Sequence, residues 1–311
     1  MLNVPFTQAA LYARRTLILV ALLCLATRPL IAQEILYGGM GGHNNGDSTN
    51  DGALGIVSQT TGGVSIVGHP AGVSRITGLV FGAPGVLYGS TLDPAGGFPP
   101  PSGPRASNLI NINVNTGAII TSAPITTGGL SLSIADLAIQ PGSGTLFGIT
   151  NPDGANGGPG LLYTINKITG VATLIGNTGT FFGSIAFAPN GTLYMSAADL
   201  DFNTGMEINK TLKTINPFTG ATLTSVTTND FFGALAIRSD SSIFGGTGDQ
   251  HQLFTINPLT GLETLIGDTG TTFIGDLAFQ PIPESGTTLG FMTLGLLALV
   301  GAKRITSRRA L

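Results

Sequence analysis

A short turn motif recurs along the chain and constrains its fold more than any other feature. It occurs as INVNTG at 112–117, INKITG at 165–170, INPFTG at 215–220 and INPLTG at 256–261, with a degenerate VSQTTG at 57–62. Asn and Pro at its start favour a type I turn, and its closing Gly can adopt the left-handed conformation of a G1 bulge. Each copy therefore predicts a tight β-hairpin.

Three further segments recur in register with the turn. An LAF-type segment precedes an LYG-type segment, and a TLIG-type segment follows each turn, as in VATLIG from Val171. Their apolar and β-branched alternation predicts strands. Each repeat is thus predicted to contain four antiparallel strands, which we name a, b, c and d in chain order. Repeats of about 50 residues with four short strands are typical of β-propellers.

The order of the strands predicts how the ring closes. The repeats begin with a strand b at Leu36 and end with a strand a at Leu277, so the last strand can complete the first blade. The pairing would remove an exposed sheet edge. We therefore predict an all-β fold, a five-bladed β-propeller over 33–280. A β-sandwich is the alternative, because the first repeat is the most degenerate.

The N-terminal residues predict export. Arg14 and Arg15 precede an apolar run from Thr16 to Ala26, which is too short to cross a bilayer as a helix. This pattern predicts a signal peptide over 1–32. Cys24, the only cysteine, would leave with it, so the mature chain would contain no disulfide.

The C-terminal residues, 281–311, combine three features in a fixed order. A Pro-Glu pair is followed by an apolar segment at 286–302, predicted to be a transmembrane helix, and then by a basic cluster. The residues of the motif and cluster are Pro283, Glu284, Lys303, Arg304, Arg308 and Arg309. The segment resembles the PEP-CTERM sorting signal of exported bacterial proteins, with Ser285 in the place of that signal's second Pro.

The resemblance implies a route and a processing partner. It implies contact with an exosortase-like processing enzyme and anchoring in the inner membrane during export. The expected destination is the cell surface or the extracellular matrix. A plain single-span anchor is the alternative interpretation of the same segment.

Charge limits the partners of the exported body. Residues 33–282 contain 6 Lys and Arg against 15 Asp and Glu, a net charge of −9. This balance excludes a basic surface for nucleic acid and favours cations as partners. The chain contains no GxSxG, P-loop, HExxH or CxxC motif.

Antiparallel strands place the long b-to-c connections on one rim, which is where binding sites usually form. One of these connections contains Asp199, Asp201, Asn203 and Glu207, whose alternating oxygen side chains predict a calcium loop. A solvated acidic loop is the alternative. Asn45, Asp47, Asn50 and Asp51 form a looser version of the same pattern.

Two acids occupy the same repeat position, just before strand a. Asp136 and Asp276 could lie near the mouth of the channel and bind a metal or perform general acid/base catalysis, as in five-bladed glycosidases. Alternatively, they cap N–H groups of the inner strands. His43, His69 and His251 are expected on the long-loop rim, where they could bind zinc or face water.

Phenylalanines also recur before strand a, and we expect them to pack in the core between blades. They are Phe181, Phe182, Phe231, Phe232 and Phe273. The sequence as a whole predicts an exported binding or structural propeller that presents its long loops to a glycan, a surface protein or a cation. The alternative is a secreted glycosidase or lyase that uses Asp136 and Asp276.

Overall fold

The computed structural model describes residues 33–41, 49–83, 85–92, 106–150, 152, 160–248, 250–270 and 273–282. Every regular element in this part of the chain is a β-strand. None of the described residues belongs to a helix that could span a membrane. The predictions for the signal peptide and for the sorting segment from 283 onward lie outside them.

Twenty of the described strands form five sheets, which we number as blades 1 to 5. Blade 1 contains β1 (Leu36–Met40), β2 (Leu54–Val57) and β3 (Val64–Gly68). Blade 2 contains β4 (Ile76–Ala83), β5 (Val86–Thr91), β6 (Asn108–Ile112) and β7 (Ile119–Pro124), and a hairpin of β8 (Thr126–Thr127) and β9 (Leu130–Ser131) follows it. Blade 3 contains β10 (Ile134–Ile139), β11 (Leu146–Thr150), β12 (Leu161–Ile165) and β13 (Ala172–Asn177). Blade 4 contains β14 (Phe182–Phe187), β15 (Leu193–Asp201), β16 (Met206–Ile215) and β17 (Thr222–Thr227). Blade 5 contains β18 (Ala234–Ile237), β19 (Ile243–Gly246), β20 (Gln252–Ile256) and β21 (Glu263–Asp268), and β22 (Ile274–Phe279) returns to blade 1.

The predicted ring closure is confirmed. Strand β22 pairs antiparallel with β1, with Leu36 opposite Phe279 and Gly38 opposite Leu277. The sheet order is therefore β22-β1-β2-β3, and the other four blades follow the same order of strands a to d. The fold is a five-bladed β-propeller of four-stranded antiparallel blades.

The apolar core lies between the blades. Five clusters of buried side chains each join two neighbouring blades. The ring of Phe147 in blade 3, for example, meets that of Phe187 in blade 4 at 5.1 Å, edge to face. Because side chains alternate between the two faces of a strand, each blade contributes to the core on both sides.

The closing glycine of the turn motif serves two purposes. All five copies have φ between +71° and +78°, as the G1 bulge requires. A Cβ at Gly220 would also lie 3.0 Å from the carbonyl carbon of Gly176 in the neighbouring blade. The motif thus forms the c-to-d hairpin and allows the outer strands of adjacent blades to approach closely.

Candidate functional site

The propeller has two faces with different connections. The a-to-b and c-to-d turns share one face, which we call the turn face. Lys167 Nζ in a c-to-d turn, for example, donates to the carbonyl of Gly144 in an a-to-b turn at 2.9 Å. The b-to-c and d-to-a connections form the opposite face, the loop face. Strand a runs from the loop face to the turn face along the axis.

Asp136 and Asp276 lie within the inner strands, not before them. Asp136 is in β10 and Asp276 is in β22, and both are 0% exposed. The expectation that they stand at an open channel mouth is therefore wrong. Since a strand a has no neighbour on its axial edge, its inward N–H groups need other acceptors.

The Asp276 carboxylate connects blades 1 and 2. Its Oδ1 accepts the N–H of Leu277 at 2.7 Å, and its Oδ2 accepts the N–H of Leu79 in blade 2. It thereby satisfies one axial N–H on each of two neighbouring inner strands.

The Asp136 carboxylate repeats this arrangement two blades further on, between blades 3 and 4. Its Oδ1 accepts the N–H of Leu137 at 2.5 Å, and its Oδ2 accepts the N–H of Ile185 in blade 4 at 2.6 Å. Together the two side chains cap axial N–H groups in four of the five blades. These contacts are the capping arrangement that the sequence left as the alternative to catalysis.

The two carboxyl groups also contact each other across blade 2. They share a hydrogen bond, so one of them carries a proton. Burial raises the pKa of Asp136 to about 7, against the opposing effect of its hydrogen bonds. Burial, followed by the charge of Asp136, raises the pKa of Asp276 well above its usual range.

The equivalent positions in the other blades make room for this pair. Gly78 takes this position in blade 2, and a Cβ there would lie 2.7 Å from the nitrogen of Leu137. Ser184 in blade 4 donates to the carbonyl of Phe232 in blade 5 at 2.8 Å. The position therefore connects neighbouring blades in three cases, through the side chains of Asp276, Asp136 and Ser184.

The axial cavity lies on the turn-face side of the acids. It has a volume of about 140 Å³. Three consecutive inner-strand residues of each blade line it, and the first residue of each set is Leu79, Leu137, Ile185, Leu235 or Leu277. Neither carboxylate lines it. A general acid or base must reach its substrate within hydrogen-bond distance. The geometry thus gives this pair a structural role.

The residues predicted to bind calcium form a β-hairpin instead of a loop. Asp199 and Asp201 are in β15, where they stand opposite Ile208 and Met206, whereas Glu207 stands opposite Leu200. Paired residues share a face, so Glu207 points to the other face from the two aspartates. Asp201 accepts the N–H of Asn203 at 2.9 Å and so stabilises the turn.

We accordingly expect millimolar calcium to leave the melting temperature of the protein unchanged. The oxygens of the hairpin are divided between two faces, and a calcium ion needs six or more converging ligands. A thermal scan of the protein with calcium and with chelator measures this. A saturable rise that Asp201→Ala abolishes would contradict the hairpin geometry.

The predicted histidine site is not assembled among the described residues. His69 is exposed after β3, and His251 is in the turn between β19 and β20 with φ of +53°. His43, Asn45 and Asp47 lie outside the described residues. The described part of the chain contains no group of three or more His, Cys, Asp or Glu side chains that could hold a metal.

An aromatic cluster on the loop face was not predicted as a site. It consists of Phe181, Phe182, Phe202 and Phe231, and we call it the aromatic patch. The ring of Phe181 lies 4.8 Å from that of Phe182 and 5.4 Å from that of Phe202, and Phe182 lies 5.8 Å from Phe231. The expected core packing holds for Phe232, which is fully buried against Phe254.

The patch is accessible. Phe202 at the tip of the β15–β16 hairpin is 78% exposed, and the other three rings are half-buried. Oxygen-bearing side chains lie beside it on the same hairpin, where Asp199 accepts from Asn209 Nδ2 at 3.0 Å. Exposed aromatic rings with adjacent polar groups are typical of binding surfaces.

The comparisons with known proteins show similarity only to solved structures. No family model and no curated protein matches the chain. The solved structures include a protein of unknown function from Bacteroides caccae, with a TM-score of 0.46, 13% identity, and coverage of 80% of this chain and 99% of that one. A nidogen/laminin complex matches with a TM-score of 0.48 and 11% identity, over 80% of this chain and 98% of that one. Glutaminyl cyclase from Myxococcus xanthus matches with a TM-score of 0.41 and 16% identity, over 65% of this chain and 69% of that one.

Proposed function

We propose that this protein is an exported, non-catalytic propeller that binds a glycan of the cell envelope or extracellular matrix through its loop face. The observation that carries this proposal is the aromatic patch, with Phe202 projecting into solvent. A large aromatic ring exposed at a hairpin tip contributes little to the core, so its position favours a role in binding.

The chemistry beside the patch favours a sugar. The apolar faces of sugar rings stack on aromatic side chains, and their hydroxyl groups need acceptors. The hairpin offers the carboxylates of Asp199 and Asp201 together with the amide of Asn203. Because the exported body carries a net charge of −9, the ligand should be neutral or cationic.

The C-terminal segment supports export and sorting in this proposal. The Pro283-Glu284 motif, the apolar residues 286–302 and the basic cluster would anchor the chain in the inner membrane, with an exosortase-like enzyme as the partner that processes it. Release would then place the propeller at the cell surface or in the matrix.

The burial of Asp136 and Asp276 supports a binding role over the glycosidase or lyase alternative. All four carboxylate oxygens accept backbone N–H groups. Both acids are 0% exposed, so neither presents a free oxygen to a substrate.

We expect Phe202→Ala to weaken glycan binding roughly fivefold, because a stacking aromatic contact contributes on the order of 1 kcal/mol. Depletion of the protein from solution by insoluble cellulose, chitin and peptidoglycan measures this. Phe218→Ala is the matched control, since Phe218 is 79% exposed but lies on the turn face. Equal losses in the two variants, or no binding to any of the polysaccharides, would contradict the proposal.

A further inference from the structure

Three large apolar side chains project from the turn face. Ile168, Phe218 and Leu259 occupy the fourth position of the turn motif in blades 3, 4 and 5, and they are 79–87% exposed. The same position holds Asn115 in blade 2 and Thr60 in blade 1. The hairpin therefore does not require an apolar residue there.

The backbone of these turns is satisfied without the apolar side chains. The N–H groups of Ile168, Phe218 and Leu259 each donate to the Asn side chain two residues earlier, at 2.9 Å in every case. Exposing such large side chains gains the fold nothing, because their apolar area stays in water. Their position on three consecutive blades points to a contact outside the chain.

The path of the chain indicates what this face meets. Strand β22 ends at Phe279 on the turn face, where Gln280 donates its N–H to the carbonyl of Ile35. The apolar segment begins at residue 286, four residues after Ile282. Four fully extended residues span at most about 14 Å, so the predicted membrane segment must begin within that distance of Ile282.

The two faces also differ in charge. Carboxylates of the described residues lie in or beside the loop-face connections at Asp51, Asp199, Asp201, Glu207, Asp230 and Asp268. On the turn face the acids are paired: Arg238 pairs with Asp240, and Glu34 accepts the N–H of Ser239. Glu263, just after the turn of blade 5, accepts the N–H groups of Asn229 and Asp230. An anionic lipid surface therefore repels the loop face and leaves the turn face free to approach.

We propose that the turn face rests on the lipid surface of the membrane that holds the chain, with Ile168, Phe218 and Leu259 in contact with lipid. This inference rests on the membrane anchoring that belongs to the proposed function. In this orientation the aromatic patch points away from the membrane and stays accessible to a glycan.

The experiment compares labels on the two faces of the full chain. In a Cys24→Ala background, Phe218→Cys and Phe202→Cys each provide one site of similar exposure for an environment-sensitive fluorophore. The labelled chains are reconstituted into vesicles of phosphatidylethanolamine and phosphatidylglycerol, with or without a nitroxide-labelled lipid. We expect quenching at 218 to exceed quenching at 202 severalfold.

Tethering alone could bring the turn face near the bilayer, so a second variant tests the apolar tips themselves. Ile168→Asn and Leu259→Asn together copy the residue found at 115, and we expect them to lower the quenching at 218. Unchanged quenching in this variant overturns the proposal. A label at 218 that lipid nitroxides do not quench overturns it as well, and points to a protein partner for these tips.

Vesicle flotation tests membrane anchoring separately from the orientation of the propeller on the membrane. Equal quenching at 218 and 202 in chains that float with the vesicles overturns the orientation but leaves the anchoring intact. Chains that do not float overturn the anchoring and the orientation together. Glycan binding in the depletion assay stays independent of both results.

Discussion

Asp276→Ala is expected to lower the free energy of unfolding by about 3–5 kcal/mol. The change removes the acceptor of two buried N–H groups, those of Leu79 and Leu277. It also leaves Asp136 without the carboxyl group that shares its proton. Urea denaturation of the full chain in mild detergent, followed by circular dichroism, measures the loss.

Ser184→Ala is the matched control for this substitution. Ser184 occupies the same repeat position in blade 4, is fully buried, and donates one hydrogen bond to the carbonyl of Phe232. Losing that single neutral bond should cost about 1 kcal/mol. If Asp276→Ala costs no more than Ser184→Ala, the axial carboxylates do not stabilise the ring as the structure indicates.

The blades could be predicted from sequence because their determinants are local. Four copies of the turn motif contain an Asn that accepts N–H groups within the turn, and Ser58 takes this role in blade 1. All five copies contain the Gly that takes positive φ, so each copy specifies its own hairpin. Ring closure followed from the order of strand types at Leu36 and Leu277, whose strands β1 and β22 pair antiparallel within blade 1. Neither inference required knowledge of distant packing.

The contact between the two axial acids could not be predicted in the same way. The repeat register placed Asp136 and Asp276 at equivalent positions, but on blades separated by blade 2. A side chain in place of Gly78 in the intervening blade would crowd the N–H of Leu137, which Asp136 accepts. A glycine at a position that is otherwise Asp, Ser or Ala was the available signal, and its meaning depends on packing around the axis.

The aromatic patch was missed for a related reason. Spacing before strand a correctly indicated that Phe232 is buried, and the same pattern suggested burial for Phe181, Phe182 and Phe231. The prediction of a calcium loop treated Asp199 to Glu207 as irregular chain. The residues extend strands β15 and β16 instead, and this hairpin carries Phe202 outward to meet Phe181.

The stability of the protein is expected to fall as the pH rises from 5 to 7.5. Unfolded aspartates titrate near pH 4, whereas burial raises the pKa of Asp136 to about 7 and that of Asp276 well above its usual range. Over this interval the folded state therefore binds more protons than the unfolded state, and stability decreases with pH. The slope approaches about 1.4 kcal/mol per pH unit for each proton retained.

Urea midpoints at half-unit pH steps measure this slope. The carboxylate of Asp240 provides a control, because its hydrogen bond with Arg238 lowers its pKa below the usual range. A depressed pKa stabilises the fold at neutral pH and loses that effect only in acid, so Asp240→Asn should leave the slope between pH 5 and 7.5 unchanged. Asp136→Asn should reduce it, because only one of the two axial carboxyl groups is then left to titrate. Stability that stays level or rises across this range in the unaltered chain would mean that both axial carboxyl groups are ionised in the folded state.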